Sequence, residues 1–109
     1  MLSAGIMSEE EFNELISSGK TCVFDFSASW CGPCQMLAPV VEDIADKYKG
    51  QYYFYKIDVD SMQELAIKLG IVAVPTIVVF ADGKEVGRTS GYMELEELDG
   101  FLKETLKVK

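Results

Sequence analysis

No histidine occurs anywhere in the 109 residues. A Ser-His or Cys-His catalytic pair therefore cannot form within the chain, and the commonest zinc ligand is missing. Basic residues are scarce too, with 10 Lys+Arg against 18 Asp+Glu for a formal net charge of −8. Such a chain repels phosphate, and no concentrated basic patch interrupts it, which argues against nucleic acid as a partner. Cysteine is limited to three, an odd count that suits neither a disulfide framework nor a zinc centre built from cysteine alone. No apolar run reaches the roughly 18 residues that a membrane-spanning helix needs. Met1 to Met7 lacks the basic start and long apolar stretch of a secretory signal. The expected location is the cytoplasm, where thiols stay reduced.

What is present fits one folded domain over residues 1–109. Apolar residues make up 49% and charged residues 26%, and a chain of this length buries enough surface for a core without staples. The hydrophobic period switches repeatedly between two and 3.6, the pattern of an α/β domain. Leu2–Ile6 gives a weak strand signal. Ser8 and Glu11 have capping-box spacing ahead of a helix through Phe12, Leu15 and Ile16 to Gly19. Thr21–Ser27 reads as a strand with Cys22, Phe24 and Phe26 on one face and Val23 and Asp25 on the other, covered on both sides. Leu37, Val40, Val41, Ile44, Ala45 and Tyr48 mark a second helix, kinked at Pro39. Tyr52–Val59 is the next strand, and a third helix is expected near Ser61 with Glu64 in capping-box spacing. Ile77–Phe80, the Asp82-Gly83 turn and Lys84–Arg88 form a hairpin. A last helix carries Glu94, Glu96 and Glu97 at its start and an apolar stripe of Leu95, Leu98, Leu102 and Leu106.

The chemistry-bearing motif is Trp30-Cys31-Gly32-Pro33-Cys34, between a buried strand and a helix. A cysteine at the first turn of a helix faces unpaired backbone N–H groups and the positive end of the dipole, which favour thiolate over thiol. Two intervening residues bring the second sulfur within reach of the first, so the pair can close as a disulfide. Pro33 pre-sets helical backbone there. Cys31, at the tip, is expected to be the exposed nucleophile and Cys34 the shielded resolving thiol. A metal-binding C-x-x-C would want a second pair or histidines. Cys22, mid-strand, reads as an inert core thiol.

The motif after an apolar strand resembles the active site of the thioredoxin family, and the likeness extends along nearly the whole chain. Asp25-Phe26, Ala28, Pro39, the Lys56–Asp60 segment, Val74-Pro75-Thr76 and Gly91 fall where that family has matching positions. The resemblance implies the thioredoxin fold, a central mixed sheet of about four to five strands flanked by about four helices. It also implies a protein thiol–disulfide oxidoreductase that needs no cofactor beyond its Cys31–Cys34 pair. Implied partners are a thioredoxin reductase and disulfide-containing target proteins, with the chain acting as a monomer.

Read from its neighbours, Asp25 is a carboxylate among Cys22, Val23, Phe24 and Phe26, raised in pKa if buried and able to take the proton of Cys34; the alternative is a strand-end aspartate reaching water. Lys56 resembles the family lysine near that aspartate, against an edge-strand charge facing solvent. Sequence alone favours a trans bond before Pro75, whereas the resemblance implies cis and a docking surface of Trp30, Gly32, Pro33, Ala73, Val74, Pro75 and Gly91. Two positions depart from the common pattern. Ser27 replaces a frequent tryptophan, and Gln35 replaces a frequent lysine, which is expected to leave Cys31 slightly less acidic. Gly-Pro between the cysteines, with no imidazolium to hold the thiolate, favours a reductant. The rivals are an exported disulfide oxidase or isomerase of the same fold, and a redox-gated binding module.

Overall fold

A computed structural model describes Gly5 and residues 8–107. Among the described residues the centre is a four-stranded sheet of β1 (Cys22–Ser27), β2 (Tyr53–Asp58), β3 (Thr76–Ala81) and β4 (Lys84–Ser90), in the order β2-β1-β3-β4. β1 runs parallel to β2 and antiparallel to β3, and β3 pairs antiparallel with β4. This is the expected mixed sheet, parallel early and antiparallel late. The expected strand Leu2–Ile6 lies outside the described residues except for Gly5.

Every residue of β1 is buried, as expected for a strand covered on both faces. On one face Val23, Ile77 and Val79 pack against α2 (Gly32–Lys47) and α4 (Leu95–Leu106) through Leu37, Ile44, Leu98 and Leu102. On the other, Phe24, Phe26 and Val78 meet α1 (Glu9–Ser17) and α3 (Gln63–Lys68) through Phe12 and Leu65. Phe12 is the one buried residue of α1. Its ring sits 4.8 Å from that of Phe24 and 5.5 Å from that of Phe80, a burial that contributes about 2–3 kcal/mol.

Local signals account for most helix ends. Ser8 Oγ accepts the Glu11 N–H at 3.1 Å, and the Glu97 carboxylate accepts the Glu94 N–H at 3.2 Å. The Asp82-Gly83 turn has positive φ at both residues, 54° and 79°, as a two-residue hairpin matching strand twist requires. Two expectations are corrected. Ser61 does not cap α3: Asp58 C=O accepts from the N–H groups of Ser61 and Met62 at 3.2 and 3.0 Å, and Asp58 Oδ1 takes the Asp60 N–H. Ser61 is thereby used up in a turn, and the helix starts after Met62, whose buried side chain anchors the entry. Leu95 is exposed rather than part of the apolar stripe, because α4 turns its first residue away from the sheet. Pro39 lies within α2, where the helical pattern places it.

At the far end of α2, Asp99 of α4 receives Lys47 Nζ, Tyr48 OH and, at 3.3 Å, Lys103 Nζ. Burial works to raise the Asp99 pKa, yet these three donors hold it down to about 2. The same contact pushes Tyr48 up to about 12, with burial the larger cause.

α4 passes over β4 at Gly87, where a β-carbon would sit 2.6 Å from Thr105 Cγ2 and 3.1 Å from Thr105 Oγ1. The approach to Cγ2 is closer than β-carbons come to other atoms, so Thr105 or the helix that carries it must shift. Gly87→Ala is expected to cost about 1–3 kcal/mol by forcing helix and strand apart, lowering Tm by roughly 5–15 °C. Pairing it with Thr105→Ala should recover most of that loss in thermal unfolding. An undiminished Tm in the single variant would show that the crossing can widen freely.

Candidate active site

β1 delivers the chain to Ala28, buried at its end, and the next residues turn outward so that Trp30 is 69% exposed. The Trp30 indole is fixed by Nε1–H donating to Asp60 Oδ2 at 2.8 Å. Cys31 then stands at the N-cap of α2 in extended backbone, with Gly32 and Pro33 as the exposed first helical residues. Its Sγ accepts the Cys34 N–H at 3.2 Å, the position that a serine or aspartate oxygen fills in an ordinary cap. A negative charge on Cys31 is stabilised there by about 0.3–1 kcal/mol, and by up to ~2 kcal/mol where partly buried. The two cysteines are joined as a disulfide with their Cα atoms 5.2 Å apart.

The expected contrast between an exposed Cys31 and a shielded Cys34 is corrected. They are 5% and 4% exposed, because Ala28, Val59 and Val74 close over both. What distinguishes the sulfurs is their partners. Cys31 alone caps the helix, and its Sγ lies 3.7 Å from the carbonyl oxygen of Val74.

That carbonyl is aimed by the Val74–Pro75 bond, which is cis. Pro75 C=O accepts the Gly91 N–H at 2.9 Å, and Gly91 adopts a φ of +93° that favours glycine. Thr76 Oγ1 donates to Ala73 C=O at 2.6 Å and meets Ser90 Oγ at 2.9 Å. The sequence pattern marked Thr76 only as part of the Val74-Pro75-Thr76 segment and did not mark Ser90, since nothing in a strand-end hydroxyl signals that it ties down the preceding loop. Beside them a cavity of about 210 Å³ is lined by Trp30, Val59, Ile71, Val72, Ala73 and Val74. Val72 is 96% exposed and was also missed, although an apolar run between Gly70 and Pro75 outside any helix or strand was a visible sign. Trp30, Gly32, Pro33, Ala73, Val74, Pro75 and Gly91 thus come together around one sulfur pair, with Pro75 itself buried.

Asp25 lies on the β1 face that α2 covers. It is 2% exposed, and its Oδ1 has no hydrogen-bond partner. Burial pushes its pKa up to about 6, against the opposing charge of Lys56. Lys56 is Asp25's register partner on β2 and is exposed, so the edge-strand description holds and its charge still acts on the aspartate. Ser27 is buried at 2%. Gln35 Nε2 donates to Ser29 C=O at 2.8 Å, tying the loop before Cys31 to the helix after it. Cys22 is free and buried, and burial raises its pKa.

Comparison with known proteins bears on the same span. The family model described as Thioredoxin matches residues 3–104. A thioredoxin of Staphylococcus haemolyticus is 41% identical over 92 residues, covering 84% of this chain and 88% of that protein. Probable thioredoxin-2 of Caenorhabditis elegans is 41% identical over 102 residues, 93% of this chain and 70% of that one. Among solved structures, Plasmodium falciparum thioredoxin superposes with a TM-score of 0.87 at 31% identity, covering 94% of this chain and 98% of that one. Malassezia sympodialis thioredoxin gives 0.87 at 34%, with coverage of 96% and 94%.

Proposed function

Because this chain belongs to the thioredoxin family, we propose that its exchange chemistry is divided between Cys31 as attacking thiolate and Cys34 as resolving thiol. The chain has the thioredoxin fold and is a protein thiol–disulfide oxidoreductase. In the reduced form, Cys31 Sγ attacks one sulfur of a target disulfide. A bond forms between Cys31 and that sulfur, the target S–S bond breaks, and the departing target thiolate takes up a proton. Cys34 then loses its proton to Asp25 and attacks Cys31 Sγ. The mixed disulfide breaks, the second target thiolate leaves, and the Cys31–Cys34 bond closes. Two electrons have passed to the target. The sulfurs carry them, so no bound cofactor is needed.

The observation that supports this most is the cap: Cys31 Sγ holds the Cys34 N–H. The charge that exchange creates is therefore received by a group already in place. Asp25 suits proton uptake because burial pushes its carboxyl up to about 6. Lys56 tunes it from the rim. An extended target segment would lie along Ala73 and Val74, against Trp30, Gly32, Pro33 and Gly91, with the cis Pro75 setting its direction.

Turnover then needs an external electron donor, a thioredoxin reductase. A monomer is the competent state, since association through the apolar face at Trp30 would cover the disulfide. The free thiol of Cys22 suits a reducing cytoplasm. Catalytic amounts of the chain should accelerate insulin-disulfide reduction by dithiothreitol. A nicotinamide-linked flavoprotein reductase or a ferredoxin-linked one should replace dithiothreitol as donor. No acceleration with any donor would remove the reductase reading.

A further inference from the structure

The segment from Ile71 to Val74, whose last carbonyl lies against Cys31 Sγ, belongs to no helix or strand and is held from both ends by one strand. At its C-terminal end β4 supplies Ser90 to Thr76, and the Gly91 N–H just beyond β4 binds Pro75. At its N-terminal end the side chain of Arg88, also on β4, crosses to the last turn of α3. Arg88 Nη2 donates to Leu69 C=O at 2.7 Å, and Nη1 lies 3.4 Å from Gly70 C=O. The guanidinium is oriented for this by Glu85 on the same strand, whose carboxylate accepts Nε and Nη2 at 2.6 and 2.7 Å.

Those carbonyls matter because the end of a helix leaves them without intrahelical donors. Gly70 then reverses the chain with φ +70°, and the Ile71 N–H returns to Ala66 C=O at 2.9 Å. The next residues line the cavity beside Trp30. A change in the angle at which the chain leaves α3 is therefore passed directly to Val72, Ala73 and Val74. Only a planar fork with several donors can hold a carboxylate with one edge and helix carbonyls with the others.

We propose that Arg88 is a positioning residue that presets the Ile71–Val74 segment for docking of protein disulfides; this rests on the reading that Ala73 and Val74 contact the target. Arg88 touches neither sulfur. Its effect falls on recognition of a polypeptide and leaves attack on a small disulfide unchanged, since ordering the segment in advance lowers what binding must supply.

The test compares Arg88→Ala, Arg88→Lys and Ala73→Glu. Insulin reduction with dithiothreitol as donor gives kcat and KM, and reduction of 5,5′-dithiobis(2-nitrobenzoate) by the reduced chain gives a rate independent of docking. Arg88→Ala is expected to raise KM for insulin about three- to fivefold, the scale of one or two lost charge-assisted hydrogen bonds at an exposed site. Its kcat and its small-disulfide rate should stay within about twofold, and exchange of the Ile71 amide should quicken severalfold. Arg88→Lys should recover part of the KM, because one ammonium can still reach Leu69 C=O. An unchanged KM in Arg88→Ala, or an equal fall with both substrates, overturns the assignment. If Ala73→Glu raises KM while Arg88→Ala does not, only the role of Arg88 fails. If neither moves KM, the docking reading itself fails. Should Arg88→Ala not fold, Glu85→Ala removes the orienting carboxylate and is expected to raise KM about twofold; no change there would be equally decisive.

Discussion

Replacing Cys34 by serine is expected to turn the chain into a covalent trap, leaving target proteins attached to Cys31 through a bond that resists everything except added thiol. The first exchange needs only Cys31, its place at the helix tip and access past Val74. The second needs a sulfur at residue 34, and a serine hydroxyl is neither acidic enough nor nucleophilic enough toward sulfur to replace it. Cys31→Ser should instead leave no attachment, because Cys34 does not cap the helix and lies a turn further in. Either variant should lower insulin reduction by roughly three orders of magnitude or more. Only Cys34→Ser should shift a target's mobility on a non-reducing gel, and the shift should vanish with dithiothreitol. Equal trapping by both variants would refute the division of roles. Full biological activity in the double serine variant would leave the binding-module alternative standing.

Asp25→Asn should stabilise the protein and slow it. The Asp25 carboxyl moves from an ordinary value of 3.8 to about 6 in the fold. Between those values the native chain binds a proton that the unfolded chain has already released, so stability falls as pH rises through this window. Above it the cost is complete, roughly 3 kcal/mol for a difference of that size. An asparagine carries no charge to desolvate, though its amide also lacks an assured partner, so the net gain at pH 8 is about 2 kcal/mol. Denaturant unfolding should show that gain at pH 8 and lose it progressively toward pH 4. The same variant should release trapped targets more slowly, by about ten- to a hundredfold for a lost general base. A parent and variant of equal stability at pH 8 would show the carboxylate to be solvated after all.

Much of this was legible from residue order alone, and the reasons are specific. The strand from Cys22 to Ser27 declared its two faces because apolar side chains filled both parities. The Asp82-Gly83 turn declared itself because few residue pairs accept positive φ twice in succession. The sulfur pair was legible from its spacing and from its place ahead of a helical pattern. Three kinds of information were not. The start of α3 was hidden because Asp58, not Ser61, organises the turn, and a carbonyl's partners leave no trace in composition. The nearly equal burial of Cys31 and Cys34 depends on Val59 and Val74, which are distant in sequence. The anchoring of the docking loop by Arg88, Thr76 and Ser90 arises from contacts between residues distant in sequence, and no one of them alone signals it.

The pairing of β1 has a last consequence, concerning which sulfurs can ever meet. Cys22 opens that strand, opposite Phe80 of β3, whereas Phe26 near its other end faces Thr76 beside the docking loop. Cys22 and Ser27 are already about 16 Å apart at 3.3 Å per residue, and a disulfide needs α-carbons within about 7 Å. The third thiol is thus stranded at the opposite pole of the sheet. A protein that spends its life exchanging disulfides has three cysteines but a single intramolecular pairing, and so no scrambled isomer of its folded form to fall into.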